Sequence, residues 1–232
     1  MTPDQSQDRT TQTYKRLREL IVLGSLAPGT RVIESDIADR LGVSRTPIRS
    51  SLQRLEQEGF ILRTGKGQQW GPTVAPLTRG DATELFEMTG HLEGLAARRA
   101  CQLPDEEHQA MMVELERRNQ ALLDLARTED HDPLRYWPLD EAFHWTYVEA
   151  GSGPRLLSLH DSFRPQVERY GRVYTLVLPD RIQTSYEEHA VIVEAMAARE
   201  VAAAQAAVEA NWRGAAKRLA KVIDHIGERG AW

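Results

Sequence analysis

Two features that many protein classes require are missing from this chain. Cys101 is the only cysteine among 232 residues, so no intrachain disulfide can form and a reducing compartment is expected. No apolar run approaches the length of a transmembrane helix, and the N-terminal residues MTPDQSQDRTTQ are polar and show no signal-peptide pattern. We therefore expect a cytoplasmic protein with no membrane partner.

The chain also lacks a strong net charge, but its small negative balance is unevenly distributed. Residues 1–76 contain 11 Lys/Arg and 8 Asp/Glu, a balance of +3, whereas the remainder contains 18 and 26, a balance of −8, and the two sum to −5. A length of 232 residues allows one large or two modest domains. A mildly basic segment before a larger acidic one suits a DNA-contacting domain joined to a domain with another role.

Residues 37–55 have the pattern of two short helices joined by a tight turn. Gly42 ends the first helix, because glycine tolerates the left-handed conformation, and Ser44 is a favourable N-cap for the second. The apolar positions that recur at helical spacing are Ile37, Ala38, Leu41, Ile48, Leu52 and Leu55. The opposite face of the second helix carries the donors Arg45, Thr46, Arg49 and Gln53. This pattern is typical of a helix that enters the DNA major groove, although a helical hairpin with a solvated basic face would share it.

A short β-hairpin is predicted after these helices. Residues 60–63 have strand character, residues 65–67 form a flexible basic tip, and residues 73–75 supply a returning strand. A helix-turn-helix followed by a two-stranded wing is a winged helix, and its wing adds contacts to the minor groove or the DNA backbone.

The rest of the chain shows successive amphipathic helices and no convincing strand. Their predicted limits are 81–101, 105–127, 133–150, 154–176, 180–198 and 200–227. The predicted fold class is therefore mainly α, with an N-terminal winged helix-turn-helix and a C-terminal all-α helical bundle. The predicted organisation is a disordered tail at 1–9, a DNA-binding domain at 10–76, a linker at 77–80 and an all-α effector-binding and dimerisation domain at 81–228.

Asp140, His144 and His189 form the constellation with the clearest chemical meaning. Asp140 and His144 are four residues apart, so on a helix their side chains share one face, one turn apart. A carboxylate and an imidazole so placed can share a divalent cation, and His189 can complete the site from a neighbouring helix. A helix-surface ion pair has the same spacing, and the spacing alone favours that simpler interpretation.

The segment LRELIVLGSLAPGTRVIESDIADRLGVSRTPIRSSLQRLEQEGFI resembles the N-terminal domain of the GntR family of bacterial transcription regulators. The likeness includes the PG turn, the GVSRTPIR run and the RLEQEGFI tail. It implies operator contacts from Ser44, Arg45, Thr46 and Arg49, and from Lys66 and Gly67 on the wing. The chain departs from the family at Ser35, where some members carry a DNA-contacting arginine, and in a longer wing, where Trp70 is interpreted as a packing residue.

The segments LFEMTGHLEGLAARRA, LDEAFH and EEHAVIVEAM resemble the FCD ligand-binding domain that accompanies this DNA-binding type, and six helices resemble its VanR-like branch. The resemblance implies that Asp140, His144 and His189 ligate a divalent metal, with zinc, nickel and manganese not distinguished. Asn211 stands where many metal-binding members have a fourth ligand, a histidine. Three arrangements stay open: water or effector at the fourth position, ligation by the Asn211 oxygen, or loss of the metal.

The effector pocket departs from the FCD pattern at Thr89, where many members carry an arginine that holds an anionic effector. A hydroxyl cannot replace a bidentate guanidinium, so the usual carboxylate clamp is in doubt. Trp145 and Trp212 are candidates, with Thr89, for the pocket lining, although aromatic residues ordinarily fill the core of a helical bundle.

Two classes of function fit these observations. The first is a ligand-responsive transcription repressor that binds a palindromic operator in double-stranded DNA as a homodimer and responds to a small-molecule effector, such as a metal-coordinated organic acid. The alternative is a metal-dependent, hydrolase-like enzyme in which Asp140, His144 and His189 hold a metal that activates water. No paired general base, phosphate loop or nucleophile arrangement accompanies the three residues, and a DNA-reading domain is unexplained in an enzyme. The sequence therefore favours the regulator.

Overall fold

The structure is a computed structural model that describes residues 3–67, 70–128, 133–175 and 181–230. Over these residues the chain forms nine helices and one two-stranded antiparallel sheet. It divides into two units, the first made of Met1–Thr78 with Ile226–Trp232 and the second of Arg79–His225. The prediction of a mainly α protein, with a winged helix before an all-α bundle, is confirmed.

The first unit is built on three helices, α1 (Pro3–Val22), α2 (Glu34–Leu41) and α3 (Arg45–Gln57). Helix α2 ends at Gly42, whose φ of 66° is the left-handed conformation that glycine adopts without a steric penalty. Ser44 has the extended N-cap conformation before α3, but its hydroxyl makes no capping hydrogen bond. The tight turn between α2 and α3 therefore depends on the glycine more than on a serine cap.

Apolar side chains of α1 and α3 form the centre of the first unit's core. Ile48, Leu52 and Leu55 of α3 are 0%, 4% and 0% exposed, which confirms the predicted inward phase of this helix. Leu17 and Ile21 of α1 are 0% and 1% exposed. Burial of each such side chain contributes about 1.5–3 kcal/mol relative to leaving it in water. Helix α3 consequently turns its polar face away from the core.

The wing consists of β1 (Ile61–Thr64) and β2 (Gly71–Val74), which pair in register from Ile61 opposite Val74 to Thr64 opposite Gly71. The loop residues 68–69 lie outside the described part of the chain. Trp70, just before β2, is 55% exposed. Its predicted role as a packing residue is therefore wrong, because more than half of this residue is exposed to solvent.

The disordered tail predicted for residues 1–9 differs from the structure, in which α1 begins at Pro3. Residues 1–2 lie outside the described residues, but residues 3–9 are helical. This segment has no apolar period that would reveal a helix. Extending an existing helix costs little, however, because each added residue gains a hydrogen bond without a new nucleus.

The second unit contains six helices in the described residues, and their limits agree with the predicted ones to within two residues. They are α4 (Arg79–Ala100), α5 (Asp105–Ala126), α6 (Pro133–Gly151), α7 (Pro154–Thr175), α8 (Arg181–Ala197) and α9 (Val201–Ile226). Helices α4 and α5 both pack on α6, and α5 also packs on α8. Among the described residues, no helix combines the length and the apolar character that crossing a membrane requires.

The predicted linker at 77–80 is ordered and partly helical. Helix α4 begins at Arg79, and Leu77 exchanges two backbone hydrogen bonds with Arg229, with N–O distances of 2.8 and 3.0 Å. The residues after α9 thus belong to the first unit rather than to the predicted 81–228 domain. Pairing between segments so far apart in the chain leaves no signal in the local sequence.

Two glycines allow helices of the second unit to approach closely. A Cβ atom on Gly151 of α6 would lie 2.0 Å from the carbonyl oxygen of Ala96 on α4. A Cβ atom on Gly90 of α4 would lie 2.9 Å from the Cβ of Trp212 on α9. Helix α4 is therefore in close contact with both α6 and α9, and its buried face meets polar side chains from each.

Candidate functional site

The N-terminal end of α3 carries the predicted DNA-contacting side chains in accessible positions. Ser44, Arg45, Thr46 and Arg49 are all exposed. Lys66 and Gly67 are exposed on the wing, where Gly67 has a φ of 56°. The amino end of a helix also carries partial positive charge, which favours the approach of a phosphate. These residues have the exposure that contact with DNA requires.

A carboxylate of α2 holds the guanidinium of Arg49. Its Nη2 donates to Oε2 of Glu34 at 3.0 Å, and its Nε donates to Oε1 at 3.4 Å. These hydrogen bonds raise the pKa of Arg49 above its ordinary value. Ser35, at the departure from the family pattern, turns its hydroxyl to Oδ1 of Asp36 at 3.1 Å. The arginine contact missing at position 35 is thus not replaced by this serine.

If Arg49 makes the predicted bidentate contact to a base edge, Arg49→Ala is expected to weaken binding of the operator by about 1–3 kcal/mol. The measurement is titration of the full-length protein with its operator duplex and with a random duplex at one salt concentration. Arg40→Ala removes the same charge from the last turn of α2 and serves as the control. An equal loss on both duplexes would reduce Arg49 to a phosphate contact.

Asp140, His144 and His189 converge inside the second unit. Asp140 and His144 lie one turn apart on α6, and His189 reaches them from α8. The three residues are 9%, 6% and 0% exposed, and their potential ligand atoms all lie within 4.8 Å of one another. Nε2 of His189 is 3.2 Å from Nε2 of His144 and 3.7 Å from Oδ1 of Asp140. The helix-surface ion pair that the spacing alone favoured is therefore wrong, because the pair is buried and a third ligating group joins it.

Neighbouring side chains fix the orientation of two members of this cluster. The ring of Phe143 stacks on His189 with centroids 3.8 Å apart and an interplanar angle of 5°. The hydroxyl of Tyr136 donates to Oδ1 of Asp140 and lies 2.7 Å from Oγ of Ser185 on α8. The Asp140 carboxylate and the His189 ring are thus held in place by groups that would surround a bound ion.

Glu93 of α4 is the buried acceptor that orients His144. It is 2% exposed, and its Oε2 lies 2.7 Å from Nδ1 of His144. The same oxygen accepts from the Tyr147 hydroxyl and the Trp212 indole, each at 2.8 Å. Its Oε1 lies 3.0 Å from Nε2 of His160 on α7. Four donors from three helices therefore meet on one carboxylate.

This network sets the protonation of the imidazoles. Burial opposes the charge on Glu93, yet His144 and His160 beside it hold the pKa of that carboxyl well below its ordinary value. Burial also opposes protonation of His144, but the Glu93 carboxylate raises the pKa of His144. Burial, together with the neighbouring His144, lowers the pKa of His189 well below its ordinary value. Nδ1 of His144 thus donates to Glu93, and Nε2 is the atom of this ring that faces His189.

The 3.2 Å contact between the two Nε2 atoms requires either a proton or a metal cation between them. Two unprotonated nitrogens would direct their lone pairs at each other, so either one ring carries the proton or both rings ligate a cation. Two imidazole nitrogens bound to one tetrahedral zinc ion at about 2.05 Å are about 3.3 Å apart. The observed separation fits that geometry, and the carboxylate of Asp140 adds an oxygen donor. The residues present therefore fit a divalent metal ion.

Asn211 of α9 is also buried beside this cluster, but its amide group is already in use. Its Nδ2 donates to Oε2 of Glu188 at 2.9 Å. Glu188 in turn accepts from both terminal nitrogens of Arg218, at 2.6 and 2.8 Å. Because a carboxylate can only accept here, the nitrogen of the Asn211 amide must face Glu188. The atom that Asn211 can offer to a cation is consequently its carbonyl oxygen.

Two adjoining cavities open beside the cluster. The larger encloses about 520 Å³, including open solvent at its mouth, and is lined by Asp140, His144, Asn211 and Arg218 with several aromatic rings. The second encloses about 390 Å³ on the same basis. Its lining includes Thr89, Trp145 and Trp212, the three residues predicted for an effector pocket, together with Arg164. The hydroxyl of Thr89 donates to the backbone oxygen of Leu85 at 2.8 Å, so it is not directed to an anion.

Family models match both units of the chain. The model described as bacterial regulatory proteins, gntR family, matches residues 9–68, and the FCD domain model matches residues 84–214, which is more than half of the chain. The protein belongs to the GntR family and carries an FCD domain. It is therefore a transcription regulator with a DNA-binding domain and an effector-binding domain.

Individual relatives of this GntR regulator agree with that assignment. The uncharacterized HTH-type transcriptional regulator YdhC of Bacillus subtilis is 27% identical over 214 residues, which cover 92% of each chain. The gluconate operon transcriptional repressor of the same species is 25% identical over 178 residues, which cover 77% of this chain and 68% of the relative. The crystal structure of a GntR transcriptional regulator from Rhodococcus sp. RHA1 has a TM-score of 0.68 at 21% identity, with coverage of 91% and 97%. This last likeness shows a shared fold.

The hydrogen bonds around the cluster include four residues of the FCD domain that the sequence analysis did not single out, namely Glu93, His160, Glu188 and Arg218. Glu93 had a detectable signal, because it lies four residues after Thr89 and eight after Leu85, in line with the buried face of α4. An acidic side chain on an apolar stripe requires a partner. The other three residues had no such signal, since their partners come from distant segments.

Proposed function

We propose that this GntR regulator is a cytoplasmic repressor that binds a palindromic operator as a homodimer. It dissociates from the DNA, or rearranges on it, when an effector occupies its FCD domain. One winged helix offers a modest contact area, and a two-fold dimer doubles it and matches a palindrome. Similarity to the gluconate operon transcriptional repressor supports repression over activation. The effector acts by binding one DNA-binding state of the dimer more tightly than the other.

The observation that carries the effector-site proposal is the convergence of two imidazoles and one carboxylate on one buried point. Asp140, His144 and His189 would hold a divalent ion, with the carbonyl oxygen of Asn211 as the fourth protein donor. Two nitrogen and two oxygen donors suit manganese or nickel as well as zinc, because oxygen ligands favour harder ions. When bound, the ion supplies a Lewis-acid position for an oxygen atom of the effector.

The effector in this proposal is an organic acid with an apolar part. Its carboxylate would approach the metal-ligating residues, because Thr89 has no guanidinium and the guanidinium groups of Arg164 and Arg218 are bound to Glu141 and Glu188. The aromatic lining, which includes Trp137, Trp145 and Trp212, would cover the apolar part. This assigns anion recognition to the metal rather than to an arginine.

A hydrolytic role for the same residues is disfavoured by their hydrogen bonds. Glu93 accepts from four donors, and Asp140 accepts from Tyr136. A general base must take a proton from a bound water, but Glu93 is already committed to protein donors and Asp140 is assigned to the ion. We therefore assign the cluster to binding rather than to catalysis.

The test is elemental analysis of the full-length protein, purified without a histidine tag and offered zinc, nickel and manganese in turn. We expect about one ion per chain, since one cluster of this donor set holds one ion. His144→Ala should lose the ion because one of the two nitrogen ligands is removed. His91→Ala is the matched control, since His91 is exposed and lies outside the cluster. Asn211→His should shift the preference towards zinc if position 211 ligates the ion.

Circular dichroism of each variant separates loss of metal from loss of fold. A folded native protein that takes up no ion would contradict the metal proposal, and effector screening would then turn to ligands held by the aromatic lining alone. Retention of the ion by folded His144→Ala would place the metal at another site.

A further inference from the structure

We propose that Glu34 is a positioning residue for DNA reading, which holds the guanidinium of Arg49 in the orientation that contacts a base. The inference rests on the proposed role of Arg49 in operator contact. It assigns part of the sequence specificity to an acidic side chain on α2, a helix that contributes none of the predicted contacts.

The hydrogen bonds between the two side chains leave the Nη1–Nη2 edge of the Arg49 guanidinium available to a base. Glu34 receives Nε–H at 3.4 Å and one N–H of Nη2 at 3.0 Å. A guanidinium has five N–H donors, so the outer N–H of Nη2 and both of Nη1 remain. Guanine offers O6 and N7 as a pair of acceptors in the major groove, and the Nη1–Nη2 edge matches that pair. Glu34 thus engages one edge of Arg49 and leaves the edge that suits guanine.

Stability is a weak explanation for this ion pair. The side chains of Arg49 and Glu34 are 66% and 32% exposed, and pairs of this kind contribute little to folding because water screens them. Glu34 lies in the first turn of α2, where a negative charge favours the helix dipole, but Asp36 lies in the same turn and supplies that charge without contacting Arg49. The pairing with Arg49 is what distinguishes Glu34 from Asp36.

A carboxylate on a DNA-contacting face has two opposed effects. It repels phosphates, so it lowers affinity for every DNA sequence. It also restricts an otherwise mobile arginine, which lowers the entropy lost when that arginine binds a base. This smaller entropy loss helps binding only on DNA that carries the base that Arg49 contacts. Glu34 therefore increases the ratio of specific to non-specific affinity, and its removal should change the two affinities in different ways.

The experiment uses the full-length protein and two duplexes of equal length. One is the duplex recovered by in vitro selection with the native protein from a randomised library, and the other has a scrambled sequence. We expect Glu34→Gln to weaken binding of the selected duplex by about 3–10-fold, a part of the discrimination that a bidentate arginine supplies. Binding of the scrambled duplex should be unchanged or tighter. Asp36→Asn, the control of equal charge in the same turn, should change both affinities by the same factor.

A second comparison shows whether Glu34 acts through Arg49. In the Arg49→Ala background, Glu34→Gln should no longer weaken binding of the selected duplex relative to the scrambled one. If Arg49→Ala itself leaves specificity intact, the proposed DNA contact of Arg49 is wrong. If Arg49→Ala lowers specificity but Glu34→Gln behaves like Asp36→Asn, only the positioning role of Glu34 is overturned. A change in melting temperature in Glu34→Gln with no change in specificity would assign the pair to folding.

Discussion

Glu93→Ala is expected to lower the free energy of unfolding of the FCD domain by about 3–5 kcal/mol, the range found when one member of a buried ionic network is removed. The carboxylate accepts from His144, His160, Tyr147 and Trp212, and the substitution removes the acceptor that these four buried donors share. Chemical denaturation of the full-length protein measures the loss. Uptake of metal should fall as well, since His144 loses the partner that orients its ring.

The matched control is Glu87→Ala, which removes the same side chain from an exposed position of the same helix. A difference of this size between the two variants would arise from the buried hydrogen bonds rather than from the helix propensity of alanine. Denaturation curves that coincide for Glu93→Ala and Glu87→Ala would contradict the network. Glu93→Gln retains the volume and one acceptor oxygen, so its loss of unfolding free energy should lie between those of Glu93→Ala and Glu87→Ala.

Gly151→Ala is expected to lower the free energy of unfolding by about 3 kcal/mol or more, at the upper end of the cost of overpacking. The new Cβ would lie 2.0 Å from the carbonyl oxygen of Ala96 and 2.9 Å from the amide nitrogen of Ala100. Both atoms belong to the backbone of α4, so no side chain can move aside, and α4 and α6 must separate. Differential scanning calorimetry should show a fall of about 6–12 °C in the melting temperature of a unit of this size.

Gly80→Ala provides the comparison for this prediction. Gly80 is also helical and has no heavy atom within 4 Å of its would-be Cβ. Alanine there should be neutral or stabilise by up to about 1 kcal/mol, as a better helix former. We expect Gly151→Ala to lower the free energy of unfolding and Gly80→Ala to leave it unchanged or raise it. A Gly151→Ala protein that melts at or above the native temperature would mean that the helices do not cross at this glycine.

The winged helix was predictable because its determinants are close together in the chain. Gly42, Ser44 and the apolar positions of α3 lie within two turns of the residues that they affect, so spacing alone revealed the turn and the buried face. The same reasoning found the limits of the six FCD helices. It failed where a helix is polar, as at the start of α1, and where exposure depends on the shape of a loop, as at Trp70.

The candidate metal centre was predictable only in part. Asp140 and His144 are one helical turn apart, so their proximity follows from the helix itself. His189 lies on a different helix, so its spacing along the chain could not show that it lies beside them. The acceptor role of Glu93 and the contact of Asn211 with Glu188 depend on how α4, α8 and α9 pack against α6 and each other. Those contacts join residues that local periodicity cannot relate.

The sequence by itself determined the helical periodicity, the turn glycine, the exposed arginines of α3 and the residue types able to ligate a cation, because each depends on neighbouring positions or on side-chain chemistry. Only the tertiary structure decided that Asp140, His144 and His189 meet within 4.8 Å, that Glu93 is the buried acceptor for His144 and that Glu34 holds Arg49. Distances between helices follow from the packing of whole faces, including a backbone contact at Gly151. That packing is a property of many side chains together, and no local segment of the chain contains it.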